Sequence, residues 1–183
     1  MLKIIKPTKK SRPVKFKDIF RVLIDSWKIK WLMMRPFQGR FPNASSISHC
    51  QLKGTQNDPL KFFVLGNDIH FFRDNKGQVK YKPIKLKKYF GFPWPRTIIN
   101  PEIIWHNEKL IKSHEGCMSQ PDTPPMNVVR WEIIECEYQT LLSLFRRRKK
   151  FYLYRSCLIQ HELDHFNLIS LKERKQMRYD KRN

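Results

Sequence analysis

From Phe16 onward the apolar residues Ile19, Phe20, Leu23, Trp27, Trp31 and Met34 recur at three- and four-residue intervals. Lys17, Asp18, Arg21, Asp25 and Lys28 stand between them. That period predicts an amphipathic helix ended near Pro36, with its apolar side packed on a core. The polar side is mostly basic, so a membrane-surface role is the alternative use of the same helix.

The rhythm then changes. KFFVL at 61–65 and IHFF at 69–72 are short apolar runs bounded by Gly66-Asn67-Asp68 and Asp74-Asn75-Lys76-Gly77, which predicts strands joined by turns. A lysine-rich connection and an irregular stretch around Pro93 and Pro95 follow. Residues 97–101, TIINP, read as a strand stopped by its proline. Strand character returns at 128–138 and 150–154, and a helix is predicted from about Ser156 past Lys172 into a charged tail. Strands ahead of a long terminal helix predict an α+β architecture. No linker divides the chain, so 1–183 reads as one domain with a basic N-terminal extension (1–15) and a basic C-terminal tail (170–183). No apolar stretch approaches the roughly 18 residues of an integral membrane segment.

Charge adds a possible partner. Lys plus Arg number 37 against 16 Asp plus Glu, a net +21, and Arg146-Arg147-Arg148-Lys149-Lys150 places five cations in one run. Such an excess attracts polyanions, ribosomal RNA among them, and is equally produced by basic residues on solvated faces. The four cysteines, Cys50, Cys117, Cys136 and Cys157, form no C-x-x-C pair and no disulfide framework, and no secretory signal opens the chain. A cytoplasmic location is expected, with an organellar matrix as the alternative.

The chemistry concentrates in LIQHELDH at 158–165. His161 and His165 are four apart, so on a helix they share one face and both imidazoles can grip one ion. Glu162 follows the first histidine at about 100° around the axis, within reach of a water on that ion. A catalytic divalent ion usually takes three protein ligands, so a third must come from elsewhere. In His114-Glu115-Gly116-Cys117-Met118-Ser119-Gln120 the soft thiolate of Cys117 is one candidate and His114 is its competitor. A zinc protease would take a His or Glu downstream of the helix, where Glu173 is the sole glutamate and no histidine occurs.

Glu115-Gly116-Cys117-Met118-Ser119 with Gln160-His161-Glu162-Leu163-Asp164-His165 resembles the peptide deformylase family, whose second and third motifs are EGCLS and QHExDH. The resemblance covers roughly residues 16 to 169. It implies antiparallel and mixed β-sheets packed around a C-terminal helix that carries the metal-binding motif. It also implies an activity, removal of the formyl group from N-formylmethionyl nascent peptides with release of formate. Cys117, His161 and His165 would be the metal ligands and Glu162 the acid/base. The Gln51 side-chain amide and the Met118 backbone N–H would steady the oxygen that becomes negative, while Glu115 and Asp164 would support the ligands. The ion would be Fe2+, with Zn2+, Ni2+ or Co2+ as substitutes.

The first motif of that family, G-φ-G-φ-A-A-x-Q, is matched only loosely by Ala44-Ser45-Ser46-Ile47-Ser48-His49-Cys50-Gln51, which lacks both glycines and both alanines of the pattern. A Cβ at either glycine position narrows the cleft or forbids a backbone conformation that glycine permits. His49 adds bulk and a further candidate ligand, and Leu168 stands where many members have glycine. These departures make two alternatives explicit: a deformylase-like protein with lost or altered substrate specificity, and a basic ribosome-associated module.

Overall fold

The computed structural model describes residues 4–34, 46–66, 69–73, 79–83, 96–141 and 143–176. The lysine-rich connection and Pro93 and Pro95 lie outside them. The predicted N-terminal helix forms as a single 3-10 turn (Phe16–Asp18) running into α1 (Ile19–Met34). Nine strands follow among the described residues: β1 (Ser46–Ser48), β2 (Phe62–Leu65), β3 (Ile69–Arg73), β4 (Val79–Pro83), β5 (Arg96–His106), β6 (Leu110–Glu115), β7 (Met126–Trp131), β8 (Ile133–Thr140) and β9 (Ser143–Tyr152). Two helices, α2 (Leu153–Phe166) and α3 (Leu171–Gln176), close the described chain.

A five-stranded antiparallel sheet, in the order β1-β2-β5-β8-β9, forms the body, with β3-β4 and β6-β7 as separate hairpins. The architecture is α+β, as the strand and helix periods predict. Phe62, Phe63 and Val64 are all fully buried, so β2 has two apolar faces. Phe62 and Val64 join Val22, Ile29, Leu32 and Met33 of α1, whereas Phe63 joins Ile134, Phe151, Ile159 and Phe166 around α2. Successive strand side chains point to opposite faces, so this one strand serves two cores. Each such side chain taken from water stabilises the fold by about 1.5–3 kcal/mol. The basic N-terminal segment lies along the body: Arg12 pairs with Asp18 and Asp58, and Val14 enters the core under α1.

Three predicted boundaries are corrected. Pro101 does not stop β5, because a register shift between Ile99 and Glu102 bulges the strand around it. Asn100 takes φ +50° there, and its side-chain amide accepts from Val14 N–H and donates to Val14 O. The terminal helix starts three residues earlier than expected and does not run past Lys172. It ends at Phe166, where Ile169 N–H reaches Asp164 O and Leu168 N–H reaches His165 O. That pairing closes a helix through a left-handed residue, normally glycine, and Leu168 occupies it with φ +64°. The chain turns and α3 follows, its Leu171 buried with Cys117 and Val128.

Candidate metal centre

The β6-β7 hairpin and α2 bring the ligand candidates together. Cys117 lies just beyond β6, at the start of a tight turn that Gln120 N–H closes on Cys117 O. His161 and His165 sit one helical turn apart on α2 with their Nε2 atoms 3.1 Å apart, and His165 Nε2 is 3.3 Å from Cys117 Sγ. The ligand atoms of the three residues all lie within 4.8 Å of one another. A thiolate and two imidazoles form a donor set suited to zinc or ferrous iron, and the convergence of these three atoms fits a single divalent ion.

His114 is excluded as the third ligand. Strand alternation turns it away from Glu115, and its exposed ring bonds Asn127 Oδ1 at 3.0 Å on the opposite face of the hairpin. Glu115, on the inward face, meets His161 Nδ1 at 2.8 Å. A carboxylate on Nδ1 fixes the tautomer whose Nε2 lone pair faces the site.

Glu115 is itself held by Arg130. That guanidinium is fully buried and donates to Glu115 Oε1 at 3.0 Å and Oε2 at 2.8 Å, and to Asp164 Oδ2 at 2.6 Å. Arg174 of α3 reaches the same Asp164. Burial alone would raise the Glu115 carboxyl, but Arg130 and His161 overcome it and hold the group down at about 2. Burial likewise pushes the Cys117 thiol up, and the two histidines reverse that, leaving it at about 5. The two histidines thus favour the thiolate, the form that ligates metal. The other cysteines show the contrast, since burial lifts the Cys50 thiol to about 12 with no histidine to offset it.

The opposite wall is the degraded first motif. Ala44 and Ser45 lie outside the described residues. Ser46 and Ser48 sit in β1, and the described non-glycine residues with positive φ are Asn100, Leu153 and Leu168, so neither serine occupies a backbone reserved for glycine. His49 is not an additional ligand. It is fully buried away from the donor set, its Nδ1 accepting Leu60 N–H at 2.9 Å and its Nε2 donating to Asp25 Oδ2 at 3.0 Å. Burial lowers its pKa, and its ring centroid lies 4.6 Å from that of Phe62, so as a neutral group it ties the 3-10 turn after β1 to α1.

Gln51 is oriented by its neighbour. Ser48 N–H donates to Gln51 Oε1 at 2.8 Å, which leaves Nε2 directed at the donor set, 3.1 Å from His165 Nε2 and 3.9 Å from Cys117 Sγ. Met118 is half-buried in the turn after Cys117, its side chain against the core under α1. Glu162 is 2 % exposed, and Ser46 Oγ and Ser48 Oγ donate to its two carboxylate oxygens. Sequence reasoning missed Arg130, Ser46 and Ser48. Arg130 carried a usable signal: it shares the inward face of β7 with the buried Val128, where an arginine must be paired.

The family profile described as polypeptide deformylase matches residues 66–178. A peptide deformylase of Brachyspira hyodysenteriae is 38% identical over 82 residues, 43% of this chain and 41% of that protein. One of Erythrobacter litoralis is 36% identical over 96 residues, 52% of this chain and 45% of that protein. The matched stretch thus spans less than half the length of these curated relatives. Among solved structures, the Met-Ala-Ser-bound class I type b peptide deformylase of Acinetobacter baumannii superposes with a TM-score of 0.63 at 20% identity, covering 95% of this chain and 99% of that one. The Plasmodium falciparum peptide deformylase in complex with an inhibitor gives 0.63 at 20% identity over 96% of this chain and 90% of that one. At that identity the superposition speaks for the fold.

Proposed function

The chain belongs to the polypeptide deformylase family, and we propose that it removes the formyl group from the N-terminal formyl-methionine of new polypeptides. The observation that carries this reading is the convergence of Cys117, His161 and His165, with Glu162 next in sequence and the Gln51 amide aimed at the same point. The family is metal-dependent. We assign the ion to those three ligands and its identity to Fe2+, with Zn2+, Ni2+ or Co2+ as functional substitutes. When bound, the ion supplies the Lewis acidity that makes water a competent nucleophile near neutral pH.

The residues of the chain do the rest. Glu162 accepts a proton from the water as its oxygen bonds to the formyl carbon. The same carboxyl delivers that proton to the nitrogen as the C–N bond breaks, giving formate and a free amino terminus. The carbonyl oxygen becomes negative on the way, and the Gln51 Nε2–H and Met118 backbone N–H are its donors. Burial of Glu162 limits competition from bulk water.

Contact with ribosomal RNA is a second, separable part of the reading. It is favoured by the exposed run Arg146–Lys150 on β9, the outer strand of the five-stranded sheet. No described helix is long and apolar enough to cross a membrane. A basic edge strand of this kind binds phosphates in a salt-dependent way.

The activity is tested by formate release from a formyl-methionyl tripeptide, using protein purified without oxygen and loaded with ferrous iron or nickel. Turnover is expected in the wild type, and Glu162→Gln is expected to lose about 10²–10⁴-fold in kcat with its metal content unchanged. Stoichiometric metal with no formate above that variant would refute the assignment.

A further inference from the structure

The two serines of the divergent motif have a defined contact. Ser46 and Ser48 are two apart on β1, so their side chains leave the same face, while Ile47 between them turns the other way into the core under α1. The shared face looks at α2. Ser46 Oγ donates to Glu162 Oε1 and Ser48 Oγ to Glu162 Oε2, so each carboxylate oxygen has its own hydroxyl. At the matching positions of the family pattern stand glycine and alanine, which have no side-chain donor to offer.

Glu162 is buried, and a buried carboxylate without donors is costly. An ionised carboxyl has about four acceptor sites, so one hydroxyl on each oxygen leaves a site on each for a water proton. Two donors from one rigid strand also fix both torsions of the carboxylate, whereas a single donor would leave it free to swing.

Resting on the deformylase reading, we propose that Ser46 and Ser48 are positioning residues that clamp the Glu162 carboxylate in the orientation from which it takes the proton of the attacking water. The replacement of small residues in this motif is then the gain of a device that orients the base. Ser48 has a further hold on the site, because its backbone N–H orients Gln51. A substitution of its side chain leaves that backbone donor in place.

The test uses the full-length, metal-loaded protein with Ser46→Ala, Ser48→Ala, the double variant, and Ser46→Thr as the hydroxyl-retaining control. Infrared difference spectra between each protein and its Glu162→Gln counterpart isolate the carboxylate stretches of Glu162. The clamp predicts that these bands shift and broaden in the double variant while metal content stays unchanged. It also predicts that kcat falls about tenfold for each hydroxyl removed, that KM stays within about twofold, and that Ser46→Thr restores the rate. Carboxylate bands identical in the wild type and the double variant would overturn the proposal. So would a rise in KM at constant kcat, which would make the serines part of the peptide cleft. If wild-type protein releases no formate, the functional reading falls, and the infrared comparison still decides whether the hydroxyls hold the carboxylate.

Discussion

The two walls of the site are held by different forces. The wall carrying Cys117, His161 and His165 is fixed by buried ion pairs of Arg130 with Glu115 and Asp164, joined to the His161 ring by its hydrogen bond to Glu115. The wall carrying Ser46, Ser48 and Gln51 is fixed by single hydroxyl and amide hydrogen bonds and by a neutral imidazole, with Asp25 and Glu162 the charged groups they meet. A charge network sets ligand geometry tightly but fails badly when one member is removed, because the remaining charges stay buried and unpaired. Single hydrogen bonds carry smaller individual penalties, which is how β1 and the 3-10 turn after it keep their conformation with serines and a histidine in place of the small residues of the family pattern.

The sharpest way to break this comparison is to cut the charged wall at its centre. Arg130→Met leaves Glu115 buried without its cation and Asp164 with Arg174 alone, and urea denaturation should show a loss of about 3–5 kcal/mol. Metal affinity should fall about 10–100-fold in the same protein, since Glu115 would no longer be held against His161. A loss under about 1 kcal/mol would mean that charge does not hold this wall.

The hydrogen-bonded wall should respond less, and to pH. His49 is neutral when folded, accepting Leu60 N–H at Nδ1, and burial holds its pKa below the ordinary value of 6.5. Arg21, Asp25 and Asp58 are the charged groups that bear on it. Below about pH 6.5 the unfolded imidazole binds a proton that the folded one resists, so stability should fall as pH drops through that region toward the folded pKa. Asp25 acts in a separate window. Burial opposes its ionisation, but His49 and Lys28 hold its carboxyl at about 2, so its contribution is lost only below about pH 4. His49→Phe keeps the ring on Phe62 but strands Leu60 N–H. It should lose about 1–3 kcal/mol at pH 8 and flatten the slope between pH 7 and 5 in denaturant titrations. An unaltered slope would place the proton uptake elsewhere.

The smallest effect is expected behind the site. Leu168 is held at φ +64°, a conformation that costs a residue with a Cβ about 1–2 kcal/mol. Leu168→Gly should relieve part of that strain and raise the urea midpoint slightly, offset by the greater freedom glycine gains when unfolded. A clear destabilisation would show that the leucine side chain contributes more by packing than its backbone costs.

How much of this was legible depended on whether the signal was local. His161, Glu162 and His165 announce themselves because a helix repeats every 3.6 residues, and the apolar runs of β2 and α1 show their periods directly. The choice of Cys117 over His114 could not be made from residue chemistry alone, since it depends on which face of β6 each leaves. The break after Phe166 was hidden because a leucine fills the turn that a glycine would have marked. The passage of β5 through Pro101 was hidden because a bulge held by a residue 86 positions away, Val14, accommodates it. Ser46 and Ser48 were least visible of all: their partner is Glu162, more than a hundred residues distant, and only the packing of α2 against β1 joins them.

The ligand set is tested most directly by the electronic spectrum of the protein loaded with one equivalent of Co2+. The geometry predicts a thiolate-to-cobalt charge-transfer band from Cys117 and the intense visible bands of a low-coordinate site, both retained in His114→Ala. Cys117→Ser should abolish the charge-transfer band. A spectrum without that band in the wild type, or one that persists in Cys117→Ser and disappears in His114→Ala, would contradict the assignment of Cys117, His161 and His165 as the metal centre.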